Sequence, residues 1–347
     1  MAGQKKSLTD PPTNLKEAID WLALVGGGYG RNDWISGKRT ELKSALDKLL
    51  NWNTLKSELK INVDLDGLIK KLADGLGAGF LGYQGSTSFG SNGIIKQDDY
   101  GGRYIPTYKS AEWQVGLEND YAKVFLGAAV MAYYGITYLY WKCKIGYGGW
   151  GSFRLNGGGS DPLSLFMVNM GFKTNELQNI NGSQVVERLT SDHIYGFDEL
   201  KNVQNSYQSP YSDFLIQLED RGPAQGINCP LTNCFILAKE YIKSQFTKSQ
   251  GPRIDGTLTS IKEALPSFKS SCQTSAQDLY YQINNFISTY MPETSSPNPG
   301  GVSAQSSPAA PVAGTLTTLG LGGGAAAAYI FNLGGAKTLV NGLLKIG

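Results

Sequence analysis

The sequence predicts a mainly α protein: a helical ectodomain with Gly-rich loops and one C-terminal transmembrane helix. Three observations carry that reading. Apolar residues recur at three- and four-residue spacing along most of the chain, as one face of a helix requires. Runs of glycine punctuate those stretches. Near the end, Val312 to Leu333 (VAGTLTTLGLGGGAAAAYIFNL) carries no charge, and about twenty such residues span the roughly 30 Å hydrocarbon layer as a helix. Its centre is Gly and Ala, and glycine is more frequent in membrane helices than in soluble ones. Lys337 and Lys345 follow in a short tail, as expected at a cytoplasmic end, so everything before residue 312 is expected outside.

The expected boundaries are an ectodomain over 1–291, a Pro/Ser/Gly-rich linker over 292–311, a span over 312–336 and a tail over 337–347. Such a linker cannot bury enough apolar surface to fold. With 347 residues and 41% hydrophobic content the chain can bury a substantial core. Charged residues make up 17%, below the roughly 25% of typical soluble domains. A net charge of +2 with dispersed lysines argues against a nucleic-acid partner, which needs a concentrated basic face. The opening residues lack the apolar core of a secretory signal.

Asn14 and Glu17 have capping-box spacing, and Leu15, Ala18, Ile19 and Leu22 form a stripe, so the first helix is expected to open there and stop at Gly26–Gly30. Leu42, Ala45, Leu46, Leu49, Leu50 and Leu59 predict one long amphipathic helix from Arg39 to Lys60, with Lys43 and Asp47 able to pair on its outer face. Leu65 to Leu72 predicts another, giving way to a flexible surface loop. There Gly77, Gly79 and Gly82 match the letters of a dinucleotide-binding loop, but the required strand in front and helix behind are missing.

Val124 to Trp141 is a second uncharged run and a rival membrane span. Its aromatics are spread through the segment instead of gathering in two interfacial belts, which favours a buried core helix. Pro162 to Phe172 is expected to pack against it. Further helical stripes appear at Tyr211–Leu218, Phe235–Phe246, Leu258–Phe268 and Ala276–Tyr290.

No catalytic constellation is legible. One histidine, His193, excludes a two-histidine metal site, and no nucleophile elbow or P-loop occurs. Carboxylates such as Glu17 and Asp20, or Glu41 and Asp47, fall on faces expected to be solvated. The spacing therefore predicts neither enzyme activity nor a cofactor or metal. Cys143, Cys229, Cys234 and Cys272 leave buried thiols or disulfides open, with no pairing deducible. Asn181-Gly182-Ser183 is a glycosylation sequon. In the expected span, Gly320, Gly324, Ala328 and Asn332 share one face, a small-residue seam suited to helix pairing.

Three blocks, NLKEAIDW (14–21), AKVFLGAAVMAYYGITYLYWKCK (122–144) and TLTTLGLGGGAAAAYIFNLGGAKTLVNGLLKIG (315–347), resemble the variant erythrocyte surface antigens of Babesia parasites. The resemblance implies a single-pass protein on the surface of infected erythrocytes, engaged in antigenic variation and cytoadhesion. A second subunit of the same family and a host-cell receptor are the partners it implies, besides the membrane. It also implies that 124–141 belongs to the ectodomain core. The alternatives are a membrane-anchored subunit or scaffold without adhesion of its own, and a nucleotide-binding enzyme using Gly77, Gly79 and Gly82. Members of the family are commonly longer, with a Cys- and Lys-rich region, so this chain resembles a short or truncated one. It has Pro11-Pro12 where a cysteine often precedes the first helix.

Overall fold

Asn14 opens the first helix as its spacing predicts. Its Oδ1 accepts the Glu17 N–H at 3.0 Å, while the Glu17 carboxylate turns back to the Thr13 N–H and hydroxyl, each at 2.8 Å. The structure is a computed structural model that describes residues 6–26, 38–58, 64–81, 83–84, 88–89, 93–96, 107–108, 111–145, 148–158, 161–190, 197, 199–200, 229–249 and 277–290. The chain divides into two units, Met1–Ser295 and Ser296–Gly347, and all described residues belong to the first.

Helix α1 (Leu15–Gly26) is buried at every residue except Glu17. A helix surrounded on all sides must pair any charge it carries, and this one carries Lys16 and Asp20. The long helix expected from Arg39 to Lys60 is two helices, α2 (Lys38–Leu50) and α3 (Trp52–Glu58). Asn51 separates them at φ 50, a left-handed conformation that Asn tolerates better than most residues, and its carbonyl accepts the Thr54 and Leu55 N–H groups that start α3. The described ion pairs of α2 are Lys38–Glu41 and Arg39–Asp66, not Lys43–Asp47.

Helix α4 (Leu65–Leu81) corrects the expected surface loop. Instead of ending near Leu72, it runs through Gly75, Gly77 and Gly79, all buried. Helix α4 forms in spite of these glycines, packed closely against α1. At the crossing with α1, a Cβ on Gly26 would drive into the Cβ of Ala73; towards α7 (Gly182–Leu189), a Cβ on Gly79 would meet Leu189 and the Arg188 carbonyl in ordinary contact. Tertiary contact thus outweighs glycine's low helix propensity, a penalty of about 1 kcal/mol per residue. A two-residue antiparallel pair follows, β1 (Tyr83–Gln84) with β2 (Ser88–Phe89).

Helix α5 (Glu118–Lys144) is the axis of the fold, packed by α1, α2, α7, α8 (Pro230–Ser249) and α9 (Gln277–Tyr290). Glu118 and Asp120 sit in its first turn and Lys142 and Lys144 in its last, each complementing the helix dipole. Of its most apolar 18-residue window, 94% is buried inside the protein. The spread of aromatics has a direct cause: different faces serve different neighbours. Tyr133 stacks on Phe235 of α8 at 4.1 Å and Tyr134 meets Phe286 of α9 at 5.7 Å, while Tyr138 meets Phe166 of α6 (Pro162–Asn169) at 5.7 Å. The short apolar segment at 162–172 therefore packs where its composition predicts.

A 3-10 turn (Thr174–Glu176) leads towards α7 (Gly182–Leu189), a helix its short stretch of sequence did not announce. The stripes at α8 and α9 are realised, with Phe235, Ala238 and Ile242 buried on one and Leu279, Ile283, Phe286 and Ile287 on the other. The predicted stripes at 211–218 and 258–268, the linker, the span and the tail lie outside the described residues.

Candidate functional site

The most concentrated buried chemistry lies where the sequence suggested a solvated face. Asp20 is fully buried and Lys16 is 8% exposed. Lys16 Nζ lies 2.9 Å from Asp20 Oδ2, and the same oxygen accepts the Thr107 N–H at 2.9 Å and the Thr107 hydroxyl at 3.0 Å. Lys16 also donates to Thr107 Oγ1 at 3.4 Å. The i,i+4 spacing on α1 brings the two charges together, and the turn at 107–108 supplies the remaining donors. Next in sequence, buried Tyr108 donates its hydroxyl to the Asp10 carbonyl at 2.9 Å, and Trp21 Nε1 donates to the Leu8 carbonyl at 2.9 Å. Burial, and then the negative charges of Glu17, Asp10 and Asp20, hold the Tyr108 phenol far above its ordinary pKa.

These groups fasten three pieces of chain: the segment at Leu8–Asp10, α1 and the turn at 107–108. Asp20 is a carboxylate whose facing oxygen is already filled with donors, and such a group holds structure instead of taking a proton from a substrate. Its burial corrects the expectation that Glu17 and Asp20 share a solvated face. The i,i+4 pair was visible in the sequence, but nothing in the sequence pointed to Thr107.

A cleft of about 300 Å³ opens between α2 and the start of α5, lined by Thr40, Glu41, Ser44, Ala45 and Lys48 with Glu118 and Asn119. Both Glu118 oxygens accept the Gly116 N–H at 3.0 Å. That bond, then the Glu118 N–H, and more weakly Lys48 and Lys38, hold its carboxyl below the usual range. The charges here largely answer one another, since Lys38 Nζ meets Glu41 Oε1 at 2.7 Å.

Cys143 and Cys234 are buried thiols, and no disulfide joins the described cysteines. Burial pushes both thiols well above their ordinary pKa, with Glu199 adding to the effect at Cys234. A buried thiol that stays protonated is a poor nucleophile and a poor metal ligand. Cys229 precedes α8, where its carbonyl accepts the Asn233 N–H at 2.9 Å. At the same helix end the Glu199 carboxylate accepts the Leu231 and Thr232 N–H groups at 2.8 and 2.9 Å. This cap comes from more than thirty residues away, with no signature in the sequence. Among the described residues, no three His, Cys, Asp or Glu side chains gather where a metal ion could sit.

Gly77 and Gly79 are interior to α4, so they do not form the phosphate-cradling loop whose letters they match. Asn181 caps α7: its Oδ1 accepts the Gln184 N–H at 3.0 Å and its own N–H donates to Gln184 Oε1 at 3.0 Å. Gly82, Cys272, His193 and the seam residues Gly320, Gly324, Ala328 and Asn332 lie outside the described residues. No protein-family model, curated protein or solved structure matches the chain.

Proposed function

We propose that this chain is a single-pass surface antigen whose helical ectodomain is displayed outside the cell and anchored by Val312–Leu333. One observation carries the reading. The chain has two uncharged apolar runs long enough to cross a bilayer, and the first, within α5, is consumed by the core, with 94% of its most apolar window buried by other parts of the protein. Turning that helix out to lipid would expose the facing sides of α1, α2, α8 and α9. The run at 312–333, with Lys337 and Lys345 behind it, is then the segment left to anchor the chain.

Display on infected erythrocytes, antigenic variation and adhesion rest on the resemblance of the three quoted blocks. The described ectodomain fits a display role in one respect: its buried polar groups fasten chain to chain, so the helical frame can hold surface loops without a reactive centre. Protease shaving of intact infected cells tests the proposal. Epitopes before Pro311 should vanish while an epitope in the tail persists; survival of the ectodomain epitopes would place the chain inside the membrane and defeat the reading.

A further inference from the structure

We infer that Asn181 is an N-glycan acceptor site that keeps its place in the fold when modified. The inference rests on the membrane reading, because the sequon must meet the modifying machinery in a lumenal compartment.

The two ends of the Asn181 amide serve different purposes. A backbone N–H can only donate, so the Gln184 N–H, 3.0 Å away, fixes the amide oxygen towards the first turn of α7. The nitrogen is thereby turned away. It makes no hydrogen bond among the described residues, and the residue is half-buried with Ser183 exposed beside it. A sugar attached at Nδ2 leaves the oxygen free to accept, so the helix cap and the modification use opposite ends of one side chain.

The middle residue has its own reason. The Gly182 N–H donates to the Phe153 carbonyl at 3.1 Å, and a Cβ there would strike the Trp150 carbonyl. Ser183 donates its N–H and hydroxyl to the Gly151 carbonyl at 3.0 and 3.2 Å. The folded tripeptide is therefore pinned, and transfer belongs to the unfolded, extended chain. In that step Nδ2 attacks the anomeric carbon of a lipid-linked oligosaccharide. The new N–C bond forms as the C–O bond to the lipid pyrophosphate breaks, and the amide gives up one proton. Folding then docks the oxygen as the cap and leaves the glycan projecting from the start of α7.

The test translates the full chain with microsomes and reads mobility before and after a peptide N-glycosidase. The parent should show a one-glycan shift that the glycosidase removes. Asn181→Asp, which retains an N-cap oxygen but no acceptor nitrogen, should abolish the shift. Glu293→Asn introduces a second sequon with Thr294 and Ser295 and should add a second shift. If Glu293→Asn gains one glycan while the parent has none, the ectodomain reaches the lumen but Asn181 is not an acceptor, which overturns the inference and leaves the membrane reading standing. If neither chain is modified, the membrane reading fails and the inference with it.

Discussion

Lys16 Nζ lies 2.9 Å from Asp20 Oδ2 on a helix buried at every residue but Glu17. A buried ion pair often contributes little net stability, yet breaking it by removing one partner leaves an uncompensated charge, at a cost of about 3–5 kcal/mol. Asp20→Ala should lower stability by that order and also release the Thr107 N–H. Lys16→Met combined with Asp20→Leu should recover much of the loss. Urea unfolding of the two variants and the parent decides it; equal stability of parent and Asp20→Ala would show that the pair does not hold α1.

The crossing of α1 and α4 depends on the absence of one side chain. A Cβ on Gly26 would run into the Ala73 Cβ and lie 3.3 Å from the Ile69 carbonyl. Because the obstacle is a Cβ fixed to the backbone, relief requires moving a helix. Gly26→Ala should cost about 1–3 kcal/mol, the usual range for overpacking. Adding Ala73→Gly should return part of that loss, and a double-mutant cycle by thermal or urea unfolding measures the coupling.

Stability should fall on the alkaline side. Burial holds the Cys143 and Cys234 thiols protonated in the folded protein above the pKa at which an unfolded thiol ionises, roughly 8.5. Above that pH the unfolded chain has lost protons that the folded chain keeps, so ν_U is smaller than ν_N and ΔG of unfolding decreases as pH rises. Each thiol contributes a slope of up to about 1.4 kcal/mol per pH unit until its folded pKa is reached. The stabilisation is fully present below the unfolded pKa. Urea midpoints between pH 7 and 10 should show the decline, and Cys143→Ala with Cys234→Ala should flatten it; an unchanged slope in the double variant would assign the decline elsewhere.

Within the proposed span, Gly320, Gly324 and Ala328 recur every four residues with Asn332 on the same row. Small residues let helix backbones approach in a bilayer, and an interhelical bond from Asn contributes about 1–2 kcal/mol at most. Gly324→Ile should sharply reduce dimerisation of the isolated span in a membrane reporter, and Gly323→Ile, off that row, should do less. Equal signals from both variants and the parent would leave subunit pairing to the ectodomain.

What the sequence conveyed depended on how locally each feature is determined. The stripes at Phe235–Ile242 and Leu279–Ile287 and the cap at Asn14 are local patterns, and all are present. The helical fate of Gly75, Gly77 and Gly79 was hidden because glycine is locally a breaker, and the helices that pack α4, α1 and α8, come from elsewhere in the chain. The break at Asn51 was missed because an apolar stripe can run on across one left-handed residue. Asp20 looked solvated because helix periodicity gives a face without saying what covers it; the covering turn, Thr107, is 87 residues away. The capping box at Asn181 and Gln184 was legible in principle, from Asn followed three residues later by Gln, but it opens a helix too short to show periodicity.

Helix α5 belongs to the core, and Val312–Leu333 is the segment proposed to hold the protein in the membrane. Alkaline carbonate extraction of membranes carrying either the full chain or a chain ending at Pro311 tests it most directly. The account predicts the full chain in the pellet and the shortened chain in the supernatant. A shortened chain that stays in the pellet would contradict it, because α5 or a lipid anchor would then be holding the protein.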